Sequence, residues 1–487
     1  MSPIAIAGDL KTHTPRGSLG TLALGALGVV YGDIGTSPLY TMKTALDWGG
    51  GATPEVAVGM LSLIVWTLLI TTSIKYVAVV MRADNDGEGG IVAPMSLLGI
   101  KHGNRAGVIA IGVLGAALLY GDGAITLAIS VLSALEGLKL PAPGIAPYVV
   151  PLSVPLVVLA TLATIIASQA IISGSFSMTR QAMQLGLCPR LHITQTSAEG
   201  YGQIYVGSVN WVLMALTLGL TLAFRSSDNL AAAFGVAVSL TMLLTSVLMY
   251  LVMREIWGWS LPASLLVAGS FIVVDLSFVS ANLMKVFEGG YVPLIVAAVI
   301  FFLIWTWRRG RQLMLQRLER DTLPLASFIK QIHGKSRVPG TAVYLTSRTD
   351  VVPVPLLHNL KHNKVIHRRI VLLHVVTGNA PYIAVDQRIQ VTHLMDDFHS
   401  VVIRYGFMEQ PDIPQALDAC AAQELRFDLM ETSFFVGRLT IVPGAAPRMS
   451  RIRINLFEAM HRNALAATEF FRIPPNRVIE LGGQIEL

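Results

Sequence analysis

Between Leu19 and Trp307 the chain alternates long apolar runs with short polar breaks, and after Arg308 this rhythm stops. About 20 helical residues cross a hydrocarbon layer of about 30 Å. The runs at 19–44, 56–81, 107–135, 148–173, 203–224, 229–252, 260–283 and 290–307 are therefore predicted to be eight membrane spans. Beyond them the pattern is that of a soluble domain. Strands are predicted at Ala342–Leu345, Ile370–Val376, Val401–Tyr405 and Phe434–Val442, and helical spacing appears at Ile413–Leu425 and Met449–Phe471. Clusters at Pro443–Pro447 and Pro474–Pro475 mark turns. The chain divides into an N-terminal segment (1–18), an all-α polytopic membrane domain (19–307) and a soluble α/β domain (308–487).

Composition supports the membrane reading: 53% of residues are hydrophobic and only 14% charged, outside the range of ordinary soluble domains. The net charge of +6 is not gathered in a basic tract, so nucleic acid is not an expected partner. Lys and Arg collect instead at one set of span ends, including Lys11, Arg16, Arg82, Lys101, Arg105, Arg180, Arg190, Arg254 and Arg308. Loops rich in these residues stay cytoplasmic, which places both termini on the cytoplasmic side of the membrane. Residues 1–18 lack the order of a cleaved signal peptide, so the first span is its own insertion signal. Cys188 and Cys420 are too far apart to suggest a disulfide framework. His358 and His362 have a spacing that can hold a metal on a helix, but no carboxylate or thiol set accompanies them, and surface histidines are the plainer reading. No nucleophile elbow or phosphate-binding loop is present; neither an enzyme nor a cofactor is expected.

The chemistry lies inside the spans. In the first, Leu19–Val30 is apolar and then Gly32, Asp33, Gly35 and Pro38 interrupt the helix, followed by Tyr40. Backbone groups freed by such a break must be satisfied within protein or a wet cavity, and transporters hold ions there. A carboxylate at mid-membrane costs about 2.5–3.5 kcal/mol on insertion scales, so Asp33 needs a reason; a helix cap beside a reentrant turn is the plainer alternative. The third span repeats the theme with Tyr120-Gly121-Asp122-Gly123. Two carboxylates on separate spans could form one cation site, and either could carry a proton. Glu136, about 20 Å further along the helix, falls at the outer mouth, where an entry role and a solvated helix end are both open. Lys75 is expected to snorkel to the interface, and Asp275 to be a buried hydrogen-bonding residue, with a second carrier of charge as the alternative. The acidic loop from Arg82 to Gly90 does not fit a calcium loop and reads as a gate or hinge.

Several ordered runs resemble the Kup/HAK/KT potassium transporters: Gly28–Tyr40, Arg82–Gly90, Tyr120–Thr126, Ser130–Leu138, Gln181–Leu191 and Asn282–Leu294. The resemblance implies a LeuT-like helical bundle and uptake of potassium with protons. It places Asp33, Tyr40, Tyr120, Asp122 and Glu136 near the cation path, with K+ held by Asp33 and Asp122. The implied partners are the potassium ion, the proton and the lipid bilayer, with a homodimer left open. The chain departs from the family in one large respect. Members have about twelve spans in two inverted halves, whereas this chain offers eight. Residues 149–154 resemble the start of the family's fourth span and Leu156–Gln184 its eighth, which sets an in-frame join near Pro155 and an incomplete bundle. A second reading is therefore a non-transporting remnant or accessory membrane protein.

Overall fold

The structure, a computed structural model, describes residues 53–83, 89–102, 105–136, 146–195, 204–320, 323–332, 337–377, 383–395, 397–406, 411–442 and 448–486, with 409, 444 and short stretches between 37 and 51. Most of the predicted first span lies outside them. Among the described residues seven helices are long and apolar enough to cross a membrane.

The first, α1 (Pro54–Leu68), opens with Thr53 as its cap, the hydroxyl accepting from Val56 N, and with a proline at its start, where a missing N–H costs nothing. It continues into π-helical turns at Leu69–Val79. Its apolar side chains, among them Leu61, Leu63, Val65 and Trp66, are exposed, as expected of a helix facing lipid. Helix α2 (Val92–His102) leads to α3 (Ala106–Glu136), then α4 (Ala146–Gln184), α5 (Gly207–Phe224), α6 (Ser227–Glu255), α7 (Leu261–Leu283) and α8 (Tyr291–Arg320). A small hairpin, β1 (Thr194–Gln195) with β2 (Ile204–Tyr205), separates α4 from α5.

Helix α3 is the hub of the bundle, packing on α4, α5, α6 and α8. Ala117, Ala124, Ala128 and Ile129 are fully or almost fully buried along it. Small residues let helices approach where lipid supplies no hydrophobic drive. Helix α4 differs from its predicted span of 148–173 by running unbroken to Gln184. In its polar last turns Thr179 returns its hydroxyl to the Ser175 carbonyl at 2.8 Å, which satisfies the hydroxyl within the helix. Helix α8 likewise runs past Arg308 to Arg320, so the last span and the start of the soluble domain share one rod.

The soluble domain is a six-stranded sheet of order β5-β6-β4-β3-β7-β8, from β3 (Arg337–Thr346), β4 (Ile366–Thr377), β5 (Ile389–Met395), β6 (Phe398–Tyr405), β7 (Thr432–Val442) and β8 (Val478–Glu486). All neighbours pair parallel except β5 with β6. Central strands covered on both faces are apolar at every position, and β4 shows it: Ile370, Val371, Leu372 and Leu373 are all buried. Alternation then sorts them. Val371 and Leu373 meet Ile413 and Leu417 of α10 (Ile413–Ala419), with Phe471 in the same cluster. Ile370 and Leu372 meet Phe328 and Ile329 of α9 (Leu325–Ile332).

The predicted run Met449–Phe471 is two helices, α11 (Arg451–Arg462) and α12 (Ala467–Phe470). Helix α11 docks on α8: Phe457 lies 5.3 Å from Trp307, centroid to centroid, and Arg453 Nε donates to Thr306 Oγ1 at 3.1 Å. Gly310 permits this approach, since a methyl there would overlap the Phe457 ring.

Candidate ion-binding site

Helix α3 carries Tyr120-Gly121-Asp122-Gly123 without a break. Glycine inside a helix costs about 1 kcal/mol against alanine, and here it serves packing. A methyl at Gly123 would stand 3.2 Å from Ile171 of α4, and one at Gly121 would stand 3.6 Å from the Pro293 carbonyl of α8. The Tyr120 hydroxyl lies 2.6 Å from Thr179 Oγ1 on α4. The Thr179 proton goes to the Ser175 carbonyl, so Tyr120 donates to Thr179. Asp122 is half-buried and accepts a long bond of 3.5 Å from Thr126 one turn on. Two residues apart on a helix are about 200° apart around its axis. Tyr120 and Asp122 therefore flank the same level of α3 without facing each other.

Glu136 ends α3, about 21 Å beyond Asp122 at 1.5 Å per residue. Asp33, Tyr40, Gly32, Gly35 and Pro38 lie outside the described residues, as do the acidic positions Asp84, Asp86 and Glu88 of the loop after α1. The pairing of Asp33 with Asp122 is thus an expectation from sequence alone. Among the described residues no group of three His, Cys, Asp or Glu is placed to hold a metal. His358 and His362 stand with their rings 5.8 Å apart, edge to face.

A second polar centre joins α1, α6 and α7. Lys75 is 1% exposed and Asp275 fully buried. The ammonium donates to both carboxylate oxygens at 2.7 Å and to the Met242 carbonyl at 3.2 Å. Ser246 donates to Asp275 Oδ2 at 2.5 Å. This corrects the expectation that Lys75 snorkels to the interface. A carboxylate within reach inside the bundle binds the ammonium, and three oxygens replace the water it would have sought. Asp275 is a buried acceptor with its charge matched. Sequence treated the two residues separately, although a usable signal was present: lone opposite charges in different apolar spans tend to pair with one another. What sequence lacked was the phase of α1, which its π-helical turns alter.

Residues 20–155 and 151–312 match the integral membrane domain of the K+ potassium transporters, and residues 339–487 match the C-terminal domain of the same transporters. The two membrane matches meet at 151–155, where the sequence reading sets the join. A probable potassium transport system protein Kup 1 of Bradyrhizobium sp. strain BTAi1 is 58% identical, with 96% of this chain and 99% of that protein covered. A second Kup 1, of Bradyrhizobium sp. strain ORS 278, is 40% identical over 98% of this chain and all of that protein. A Kup protein of Aromatoleum aromaticum is 39% identical over 99% of this chain and 98% of that protein. The first alignment spans 606 positions against the 487 residues of this chain, so at least 119 positions of that relative have no counterpart here. With matches along both the membrane helices and the soluble domain, the chain belongs to the Kup/HAK/KT family of potassium transporters.

Proposed function

We propose that the protein takes up potassium across the bacterial inner membrane, coupled to protons, with both termini in the cytoplasm. The observation that carries this reading is Asp122, a half-buried carboxylate in the middle of the hub helix α3, in a chain whose relatives are named potassium transport proteins. Alkali cations are held by undirected oxygen ligands, and a carboxylate beside hydroxyls and carbonyls supplies them. Asp33, at the predicted break of the first span, is the proposed second carboxylate, with Tyr40 and Tyr120 near the path and Glu136 toward its outer mouth. In a LeuT-like arrangement the ion site lies near the membrane midplane at such a broken helix. A proton on either carboxylate would let one site serve both ions, because desolvation favours the neutral acid. Lys75 and Asp275 carry no net charge as a pair, and their proposed part is to hold α1 against α6 and α7.

The test is rubidium uptake by a potassium-uptake-deficient bacterium expressing this chain. Saturable uptake that Asp122→Asn abolishes is the expected result. An unaltered chain that reaches the membrane and takes up none would leave the non-transporting reading.

A further inference from the structure

The run Gln181–Leu191 begins in the last turn of α4 and continues as a loop, which the structure ties down at both ends. After α4 the chain doubles back on the helix it has just left: Leu187 N donates to the Ala182 carbonyl at 2.8 Å, and Leu191 N reaches Met183 Sδ at 3.1 Å. The Cys188 thiol points at the Thr179 carbonyl at 3.9 Å. Gly186, at φ +68°, is covered by the Arg311 side chain from α8, and a methyl there would overlap the guanidinium. Arg190 leaves the membrane domain altogether. Its guanidinium stands 4.8 Å from the Phe470 ring centroid and 5.5 Å from that of Phe471, and its carbonyl accepts from Leu465 N at 2.8 Å. Phe471 belongs to the main core of the soluble domain. A continuous chain of contacts therefore runs from that core through Arg190 and the loop to Thr179, whose hydroxyl receives the Tyr120 proton.

We propose that Arg190 is a positioning residue for the cation path: clasped by Phe470 and Phe471, it holds the end of α4 so that Thr179 fixes the Tyr120 hydroxyl. The soluble domain thereby sets cation affinity through one loop. The inference rests on the potassium-uptake reading and adds a role for the domain that the transport site itself does not require. A guanidinium over two aromatic faces, with a backbone bond beside it, is a directed contact; random surface apposition would not also seat the adjoining loop against the helix carrying Thr179.

Cys188 supplies a reporter independent of transport. Burial pushes its thiol up to about 12, and in the clasped loop it is a poor nucleophile. The experiment uses the full chain with Cys420→Ser, in membrane vesicles, and compares Arg190→Ala and Arg190→Lys with the parent. Maleimide modification of Cys188 should accelerate at least about threefold in Arg190→Ala, the loss expected from one cation–π contact, and less in Arg190→Lys. The half-saturation concentration for rubidium should rise in the same order with little change in maximal rate. Unchanged modification in Arg190→Ala overturns the proposal, as does faster modification with unaltered half-saturation. Absence of uptake in the parent overturns the transport reading itself, and is recognised because the variants play no part in it.

Discussion

The Lys75 ammonium sits 2.7 Å from each oxygen of the Asp275 carboxylate, in a place where neither touches solvent. Desolvating two charges consumes most of what their attraction returns, yet removing one partner strands the other, at a cost of about 3–5 kcal/mol. Lys75→Met and Asp275→Asn should each destabilise the detergent-solubilised protein by that amount in denaturant unfolding. The double variant should recover most of the loss. A double variant no more stable than either single one would mean that the pair is not the unit.

Asp122→Asn removes the charge while keeping size and hydrogen-bonding shape. Rubidium uptake should fall more than about tenfold, the loss of about 1.4 kcal/mol or more of cation binding, and the unfolding midpoint should move little. Uptake at the parent rate would remove Asp122 from the ion path.

Tyr120→Phe and Thr179→Val each delete one end of the Tyr120–Thr179 hydrogen bond, worth about 1 kcal/mol, and Thr179→Val also deletes the bond to the Ser175 carbonyl. Combined, they should cost hardly more than one alone, since residues sharing a bond are not additive. Uptake half-saturation measured for the two singles and the double gives this cycle directly.

Burial holds the His461 imidazole below its ordinary value of 6.5, opposed in part by a hydrogen bond with the Leu439 backbone. The ring stacks beside Trp307 and Phe457 where the soluble domain meets α8. The unfolded chain accepts a proton near the ordinary value while the folded one resists. Stability from this residue is therefore whole above that value and is lost as pH falls below it. Thermal unfolding followed from about pH 7.5 down to about pH 5.5 should show a falling midpoint, and His461→Phe should flatten that fall. An equal slope in the variant would assign the pH dependence elsewhere.

Gly310→Val drives a side chain into the Phe457 ring. Overpacking of this kind costs about 1–3 kcal/mol, and here the docked face is what gives way. Protease cleavage between α8 and β3 should become faster, with the membrane helices still intact.

The apolar spans and the soluble strands β3, β4, β6 and β7 were legible because each element repeats its own period. Strand β8 was not: Leu481-Gly482-Gly483-Gln484 reads as a turn, and only pairing along β7 makes it a strand. Strand β5 escaped for a related reason, its His and Gln positions facing outward on a sheet edge. At the site, Tyr120 and Asp122 stood out as polar residues in an apolar run. Thr179 did not, because a threonine near a helix end carries no such mark until another helix brings a tyrosine to it. Arg190 was read as a charge setting orientation, and its aromatic partners lie about 280 residues away in the chain, beyond the reach of any local pattern.

Helix α4 crosses the meeting point at 151–155 in one unbroken stretch of 39 residues. A continuous helix transmits phase as a shaft does: each residue added or removed at that point turns one half by about 100° against the other and slides it about 1.5 Å. Ser175 and Thr179 are aimed at Tyr120 by that phase. Inserting one or two residues beside Pro155 should therefore misdirect them more than inserting four, which nearly completes a turn. The joint works as a setting of angle.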